Sequence, residues 1–573
     1  MTGEGRTAPR PPPVACAITG TTPYEAALAL RIAARAEFYP PVLRPGRFGI
    51  LTTVYIRTDA EWLRATAASL FAQSVPFDAW IILAHGPIAP ETDAALGEIA
   101  RDPRVTILRE PVNLGIMGGM RLCLEQARTE YVVPMDADDL LTPDALQVLS
   151  AEIERGHAPA LLYSDEDILV GGRAQSPYRR PDWDPVLNLA SSYIWHLCCI
   201  RRDAALREGL YTDPGATWCH DWDTSFRIAR SGETPLHVPE VLYHWRQHPA
   251  STSNSAGGVA DGSRQSTRHL LERFVAAQPR PELYAIADFP VFRGAPEWYV
   301  FREPRLSPPV AVLYLGAEAR LPPGIPAASQ VRLATAVPPA RGRWPWRKAR
   351  PAPAAAGALA AALEAVREPH VLLLGDGIEP EGEGWWWEAV KLFELHPEIA
   401  LVGGLLTDRS DRVLRGLEVL DEAGGIHAPQ RGARAQDAGP FALWLKPQCV
   451  DGAATAFCMV ETELLRRSLE ELPAETPLHG LGWRLAAQGR AEGRLAAWSP
   501  LMRATATAEA AEEPLGQSLP VLRMSGSWPK EGRRLFSQRS RLASYDDPSA
   551  ERIPATAAAV TSAPNPIVNI PNE

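Results

Sequence analysis

The run Tyr131-Val132-Val133-Pro134-Met135-Asp136-Ala137-Asp138-Asp139 constrains this chain more than any other segment. Its apolar, β-type start belongs in a sheet core. Its three carboxylates then emerge together at the strand's C-terminal end, where open α/β sheets bind ligands. Carboxylates this close repel and raise one another's pKa. A divalent cation removes that conflict. If the strand continues, Asp136 and Asp138 fall on one side and offer oxygen to a hard cation, Mg²⁺ or Mn²⁺, which keeps positions open for substrate phosphates. The same tetrad also reads as a solvated acidic turn before a helix, with Asp139 or Thr142 as its N-cap.

The flanks place the tetrad in an alternating α/β pattern. Phe48 to Tyr55, Trp80 to Ala84 and Val105 to Leu108 read as strands, and Trp62 to Gln73 carries apolar residues at helical spacing. Asn113-Leu114-Gly115 precedes a helical stretch ending near Arg128, and Pro143 sits at a helix start after the tetrad. Such alternation implies a largely parallel sheet covered on both faces. Residues 1–20 and 525–573 have the composition of disordered segments, and Tyr24 to Phe38 forms a short Ala-rich amphipathic helix. Pro338 to Pro353, rich in Pro and Arg, reads as an exposed loop.

Composition excludes several classes. A net charge of −10 leaves no broad basic footprint for nucleic acid. No apolar run reaches the roughly 18–20 residues of a membrane helix, and Met1 to Pro13 lacks the apolar core of a signal peptide. The expected location is cytoplasmic, with peripheral association at the inner face of the cytoplasmic membrane as a further option. The seven cysteines show no paired spacing, so Cys198, Cys199 and Cys219 read as structural.

The order Asn-x-Gly, helix, strand and Asp-x-Asp-Asp-Leu-Leu resembles the family 2 inverting glycosyltransferases of GT-A fold. The resemblance continues through Tyr163-Ser164-Asp165-Glu166-Asp167, Pro181-Asp182-Trp183-Asp184-Pro185, His220-Asp221-Trp222-Asp223 and Tyr243-His244-Trp245-Arg246-Gln247-His248. These later segments look like the O-antigen and surface-polysaccharide branch, and the match covers roughly residues 48–255. The resemblance implies a mixed α/β sheet flanked by helices, a nucleotide-sugar donor, and a glycan or lipid-linked glycan acceptor. The implied domains are an N-terminal extension (1–47), the transferase domain (48–255), a connecting segment (256–307), a second, degenerate GT-A-like domain (308–507) and a disordered tail (508–573).

Inverting sugar transfer needs charge stabilisation on the leaving diphosphate, a base for the acceptor hydroxyl, and in-line attack. By resemblance Asp138 is a direct metal ligand, Asp136 contacts the ribose or the cation, and Asp139 supports them. Asp221 matches the catalytic-base position; the competing structural reading makes His220-Asp221 an N-cap. His244 offers imidazole to the metal, and Arg246 offers paired bonds to the diphosphate, although Tyr243, Trp245 and Arg246 equally fit a cover over a hydrophobic edge. Val54, Tyr55, Asn113 and Gly115 complete the donor side. Asp165, Glu166, Trp222 and Asp223 are assigned to the acceptor side.

One departure stands out. The family's second strand commonly ends in two acidic residues, Gly and Ser, whereas this chain has Ala84-His85-Gly86-Pro87, and Ile56 stands where an Asn is usual. The second α/β region carries a worn repeat of the first. At an offset of 239 positions, Val132, Asp136 and Asp138 meet Val371, Gly375 and Gly377. A looser match sets Asp221 and Asp223 against Gly480 and Gly482. Two readings compete: an active, metal-dependent transferase, or a non-catalytic glycan-binding or scaffolding protein built on two transferase-like modules.

Overall fold

The computed structural model describes residues 22–248, 258–289, 297–304, 308–316, 333–335, 355–382, 384–420 and 426–511. The expectations for residues 1–20, 338–353 and 525–573 lie outside them. Among the described residues the chain divides into two compact units, one of residues 22–180 and 194–248, the other of 181–193 and 258–511. The continuous stretch 48–255 expected for the first module is thus interrupted: residues 181–193 pack with the second unit.

The first unit begins with α1 (Pro23–Phe38), closed by a capping box in which the Thr22 side chain accepts from the Glu25 amide and Glu25 bonds back to the Thr22 amide. Next come β1 (Phe48–Val54), α2 (Ala60–Phe71), β2 (Ala79–His85), α3 (Pro90–Ile99), β3 (Val105–Glu110), α4 (Gly115–Gln126) and β4 (Tyr131–Pro134). Asp59 caps α2 by accepting from the amides of Glu61 and Trp62. The buried face of α2 is Leu63, Thr66, Ala67 and Leu70, at i, i+3, i+4 and i+7. Leu63 is fully buried, which stabilises by about 1.5–3 kcal/mol.

The chain continues through β5 (Leu140–Leu141), α5 (Ala145–Arg155), β6 (Leu161–Val170) and β7 (Arg173–Tyr178). It then gives α6 (Pro185–Ala190) to the second unit and returns with β8 (Cys198–Arg201), α7 (Arg202–Arg207), α8 (His220–Arg230) and β9 (Leu236–Arg246). The sheet order is β3-β2-β1-β4-β8-β6-β9-β5, with β7 on β6. Strands β3, β2, β1 and β4 run parallel, and β8 pairs antiparallel with both β4 and β6. This is the mixed, helix-flanked sheet expected of GT-A. The N-cap of α5 is Asp144, not Asp139 or Thr142.

The second unit adds α9 (Gly258–Ala276), β10 (Tyr284–Asp288), β11 (Trp298–Arg302), β12 (Val310–Tyr314), β13 (Leu333–Thr335), α10 (Ala356–Leu363), β14 (His370–Leu374), β15 (Ile378–Pro380) and α11 (Trp387–Leu395). Beyond these lie β16 (Ile399–Thr407), β17 (Val413–Arg415), the small pair β18 (Val419–Leu420) and β19 (Ile426–His427), β20 (Gln448–Val450), β21 (Phe457–Glu461), α12 (Thr462–Glu470), α13 (Leu481–Ala491) and β22 (Leu495–Ala506). Its order, β13-β12-β14-β21-β16-β22-β15 with β17 on β16, reproduces β2-β1-β4-β8-β6-β9-β5 with β7 on β6. Pair orientations agree as well: β6–β9 and β16–β22 are parallel, while β5–β9 and β15–β22 are antiparallel.

Register fixes which residues correspond. Tyr131 pairs with Phe48 and Arg201, and His370 pairs with Val310 and Glu461, so β14 repeats β4 at the expected 239 positions. Asp136, Asp138 and Asp139 therefore meet Gly375, Gly377 and Ile378. Leu141 faces Tyr243 and Pro380 faces Ala504, which puts β22 261 positions after β9. The helices α8 and α13, each of 11 residues, start at positions that keep this spacing. The looser helix match thus shifts by two: Asp221 meets Gly482, Trp222 meets Trp483, and Asp223 meets Arg484, not a glycine.

The second copy has closed over the positions it lost. A Cβ on Gly375 would lie 2.7 Å from the Ala456 Cβ, and one on Gly482 would lie 2.2 Å from the Ala453 carbonyl oxygen. Gly482→Asp is expected to destabilise by more than about 3 kcal/mol, seen as a large fall in the denaturation midpoint of the full chain, without any gain of metal binding.

Candidate active site

The acidic tetrad emerges from β4 as the sequence implies, and its three carboxylates have different surroundings. The Asp136 side chain is 54 % exposed and lies 3.7 Å from His196 Nε2. Desolvation in the cleft, then repulsion from Asp138 and Asp221, raises its pKa against the pull of His196. Asp138 pairs with His248, Nε2 to Oδ2 3.2 Å, and its carbonyl accepts from Arg246 Nε at 2.6 Å. Asp139 is buried. It accepts from the Tyr243 hydroxyl and from the Arg246 amide, both at 2.6 Å, while burial and repulsion from Asp136 and Asp138 push its pKa well up. The tetrad therefore gathers three carboxylates whose burial and mutual repulsion disfavour full ionisation.

Sequence reasoning misses two imidazoles here. His196 directs Nδ1 to Glu166 at 3.2 Å and stacks on Tyr243, with ring centroids 4.8 Å apart. Burial disfavours its charge, but Glu166, Asp136 and Asp139 outweigh burial and raise it to about 10. Glu166 is in turn held by the buried Arg180 at 2.9 Å. Nothing in the local sequence Ile194-Trp195-His196 marks this role. His248 is readable in principle, since it continues the spacing of His244 and Arg246 two residues past the end of β9.

His244, expected at the metal, stands outside the group formed by Asp136, Asp139 and His196. Its Nδ1 bonds Asp167 at 2.6 Å, and Asp167 also accepts from the Tyr24 hydroxyl on α1 at 2.7 Å. The imidazole at Asp138 is that of His248. Asp165, Glu166, Trp222 and Asp223, expected on the acceptor side, are all buried, none more than 4 % exposed. Asp165 accepts from the Arg180 amide and faces His237 Nε2 at 2.8 Å; Asp223 accepts from Arg227 Nε at 2.7 Å; Trp222 packs against Phe226. These groups build the scaffold.

Asp221 stands in the first turn of α8, behind Cys219 at the N-cap, with one third of its side chain exposed. His220 Nε2 lies 3.6 Å from its carboxylate, and Asp221 is near enough to Asp136 to raise that group's pKa. A partly exposed carboxylate on the rim of the same cleft can take a proton from a bound hydroxyl.

The donor-side residues line the C-terminal ends of β1 and β2 and the start of α4. Val54 is fully buried and offers only backbone; the Tyr55 amide bonds Thr58 Oγ1 at 3.1 Å. Asn113 Oδ1 accepts from the Gly115 amide at 2.8 Å, and Gly115, at φ +67°, takes a backbone conformation that favours glycine. His85 is buried, and its Nδ1 accepts from the Leu114 amide at 3.1 Å. That bond fixes the neutral tautomer with the proton on Nε2, and burial lowers its pKa. The replacement for the usual carboxylate is thus a neutral ring that tethers the start of α4.

The residues fit a divalent cation. Asp136, Asp139 and His196 each bring one ligand atom within 4.8 Å of the others. The site is thus a mixed α/β sheet with acidic groups at the end of β4 and the Asp221 carboxylate near them. Residues 50–210 match the model of Glycosyl transferase family 2. The chain is similar to the O-antigen biosynthesis protein RfbC of Myxococcus xanthus, 26 % identical over 47 % of this chain and 21 % of that protein. It is also similar to the uncharacterized protein y4gI of Sinorhizobium fredii, 35 % identical over 31 % of this chain and 21 % of that protein. The chain thus spans about a fifth of the length of these relatives. The solved structure of S. aureus TarS 1-349 in complex with UDP-GlcNAc is 15 % identical, covering 40 % of this chain and 67 % of that one at a TM-score of 0.34, too low to argue from. Among the described residues no helix is long and apolar enough to cross a membrane.

Proposed function

We propose that the first unit transfers a sugar, with inversion, from a nucleotide-diphosphate donor to a glycan acceptor of the surface-polysaccharide type. The observation that carries this reading is the cluster of three carboxylates, Asp136, Asp138 and Asp139, at the end of β4, with Asp221 near Asp136. Asp136, which shares the ligand group with Asp139 and His196, and the neighbouring Asp138 are the residues suited to hold Mg²⁺ or Mn²⁺. When bound, such an ion supplies Lewis-acid stabilisation of charge on the departing diphosphate. Arg246, its Nε on the Asp138 carbonyl and its guanidinium 5.6 Å from the Trp62 ring centre, is placed to meet the same phosphates. Asp221 takes the proton of the acceptor hydroxyl. Asp139 does not reach the substrate; it holds Tyr243 and the Arg246 backbone.

Two relatives support the acceptor class by what their names say of them: an O-antigen biosynthesis protein and the amylovoran biosynthesis glycosyltransferase AmsE of Erwinia amylovora. The non-catalytic, glycan-binding alternative draws support from His85 but leaves the tetrad's charge without a purpose.

A thermal-shift screen of nucleoside diphosphates with and without Mn²⁺ tests the reading. One diphosphate is expected to stabilise the protein only when Mn²⁺ is present, by mass action on the native state. No shift with any nucleotide would favour the non-catalytic alternative.

A further inference from the structure

The helix α1 lies before the family-matched stretch, which starts at residue 50. Its contacts are nonetheless concentrated on the strands that build the site. Glu25 accepts from Arg173 Nη2 at 2.9 Å and from the Ala174 amide at 3.1 Å, both on β7. Tyr24 bonds Asp167 on β6, and Asp167 bonds His244 on β9. Arg31 and Arg35 both bond Glu240 through Nε at 3.0 Å, and Arg35 Nη2 donates to the Val241 carbonyl at 2.8 Å. Tyr39, just past the helix, adds a bond to Glu240 at 3.3 Å.

Glu240 and Val241 occupy a special place. Along β6 and β9, Ser164 pairs with Val238, then Asp165 with Val241, then Glu166 with Tyr243. The register shifts at both steps, so β9 carries extra residues here. A bulge interrupts the ladder and re-aims the side chains beyond it. A slip of one residue would turn every later side chain to the opposite face. The side chains beyond this bulge are those of the site: Tyr243 bonds Asp139, Arg246 bonds Asp138 and Asp139, and His248 bonds Asp138. Arg35 satisfies a carbonyl within the bulge, and Arg31, Arg35 and Tyr39 fix the carboxylate beside it.

We propose that α1 is a working part of the active site: it clamps the β9 bulge and so aims Tyr243, Arg246 and His248 at the acidic tetrad, with Tyr24 and Arg35 as positioning residues. The proposal rests on the transferase reading of this cleft. Tyr24 acts through Asp167 and His244, whose paired bonds hold the strand just past the bulge. Arg35, 1 % exposed, acts on the bulge itself. The two contacts grip β9 at separate points, and neither residue touches the tetrad.

The test uses the full chain with Tyr24→Phe and Arg35→Met. Mn²⁺ binding is measured by titration calorimetry, and backbone amide exchange over residues 242–248 by mass spectrometry. Each variant is expected to bind Mn²⁺ at least about tenfold more weakly, the scale for losing a group that orients metal ligands. Exchange over 242–248 is expected to quicken while the far-ultraviolet circular dichroism stays unchanged. Tyr24→Phe keeps the ring and its packing, so it decides the matter if Arg35→Met does not fold. Unchanged affinity and unchanged exchange in Tyr24→Phe would overturn the proposal. If the unaltered chain itself binds no Mn²⁺, the metal reading of the cleft falls, and exchange in Tyr24→Phe alone then decides whether α1 holds the strand.

Discussion

Asp138→Ala is expected to abolish Mn²⁺-dependent nucleotide binding and sugar transfer while leaving the fold intact. Asp138 comes after β4 rather than lying in its core, and its side chain is about one third exposed. Removing it relieves repulsion on Asp136 and Asp139, so the metal-free stability should change by no more than about 0.5 kcal/mol. The loss of Mn²⁺ affinity should exceed the roughly 10–100-fold that accompanies loss of an outer-sphere partner. Calorimetry with Mn²⁺, beside a thermal melt, separates the two effects. Normal turnover of the variant in the presence of EDTA would remove the metal assignment.

Asp221→Asn should behave differently. The amide keeps the shape of the carboxylate but cannot take a proton at neutral pH. A loss of about 10²–10⁴-fold in kcat is expected, with donor affinity little changed. Asp221 is partly exposed at the start of α8, with His220 as its near neighbour, so the substitution disturbs no buried network. An equal loss of nucleotide affinity would mean that Asp221 serves the donor or the cation instead.

The tetrad is readable because two local rules agree there: an apolar strand must end, and three carboxylates cannot sit together unneutralised. The repeat is readable for a related reason. Strands β4 and β14 keep corresponding starts and neighbours, so a constant offset survives. Between β4 and β9 the insertions differ, and the spacing grows from 239 to 261; a match made on short motifs alone then slips by two at α8 and α13. The imidazoles are harder. His196 reaches Asp136 from a distant part of the chain, and no local pattern announces a contact made only by tertiary packing. His244 lies inside the motif, but the Asp167 carboxylate that holds its Nδ1 is 77 positions away in sequence. The acidic run Asp165-Glu166-Asp167 looks like a surface feature by charge alone. It is buried because Arg180, His237, His196, His244 and Tyr24 each supply a partner, and those partners are scattered over more than two hundred positions of sequence.

The excursion of residues 181–193 has a genetic consequence. Asp184 caps α6 through Oδ1 and accepts the Cys449 amide through Oδ2 at 2.7 Å; Lys446 donates to Ser191 at 2.7 Å; and Val186 joins a core that includes Trp385, Trp386 and Phe457. A recombination junction after residue 248 would part these residues from the unit that buries them, leaving Val186, Leu187 and Leu189 to face water. A duplicated, decayed copy is ordinarily free to be deleted. Here residues 181–193 belong to the second unit, and Val186 lies in its core. Any chimaera that swaps one half for a homologue's must carry residues 181–193 with the second.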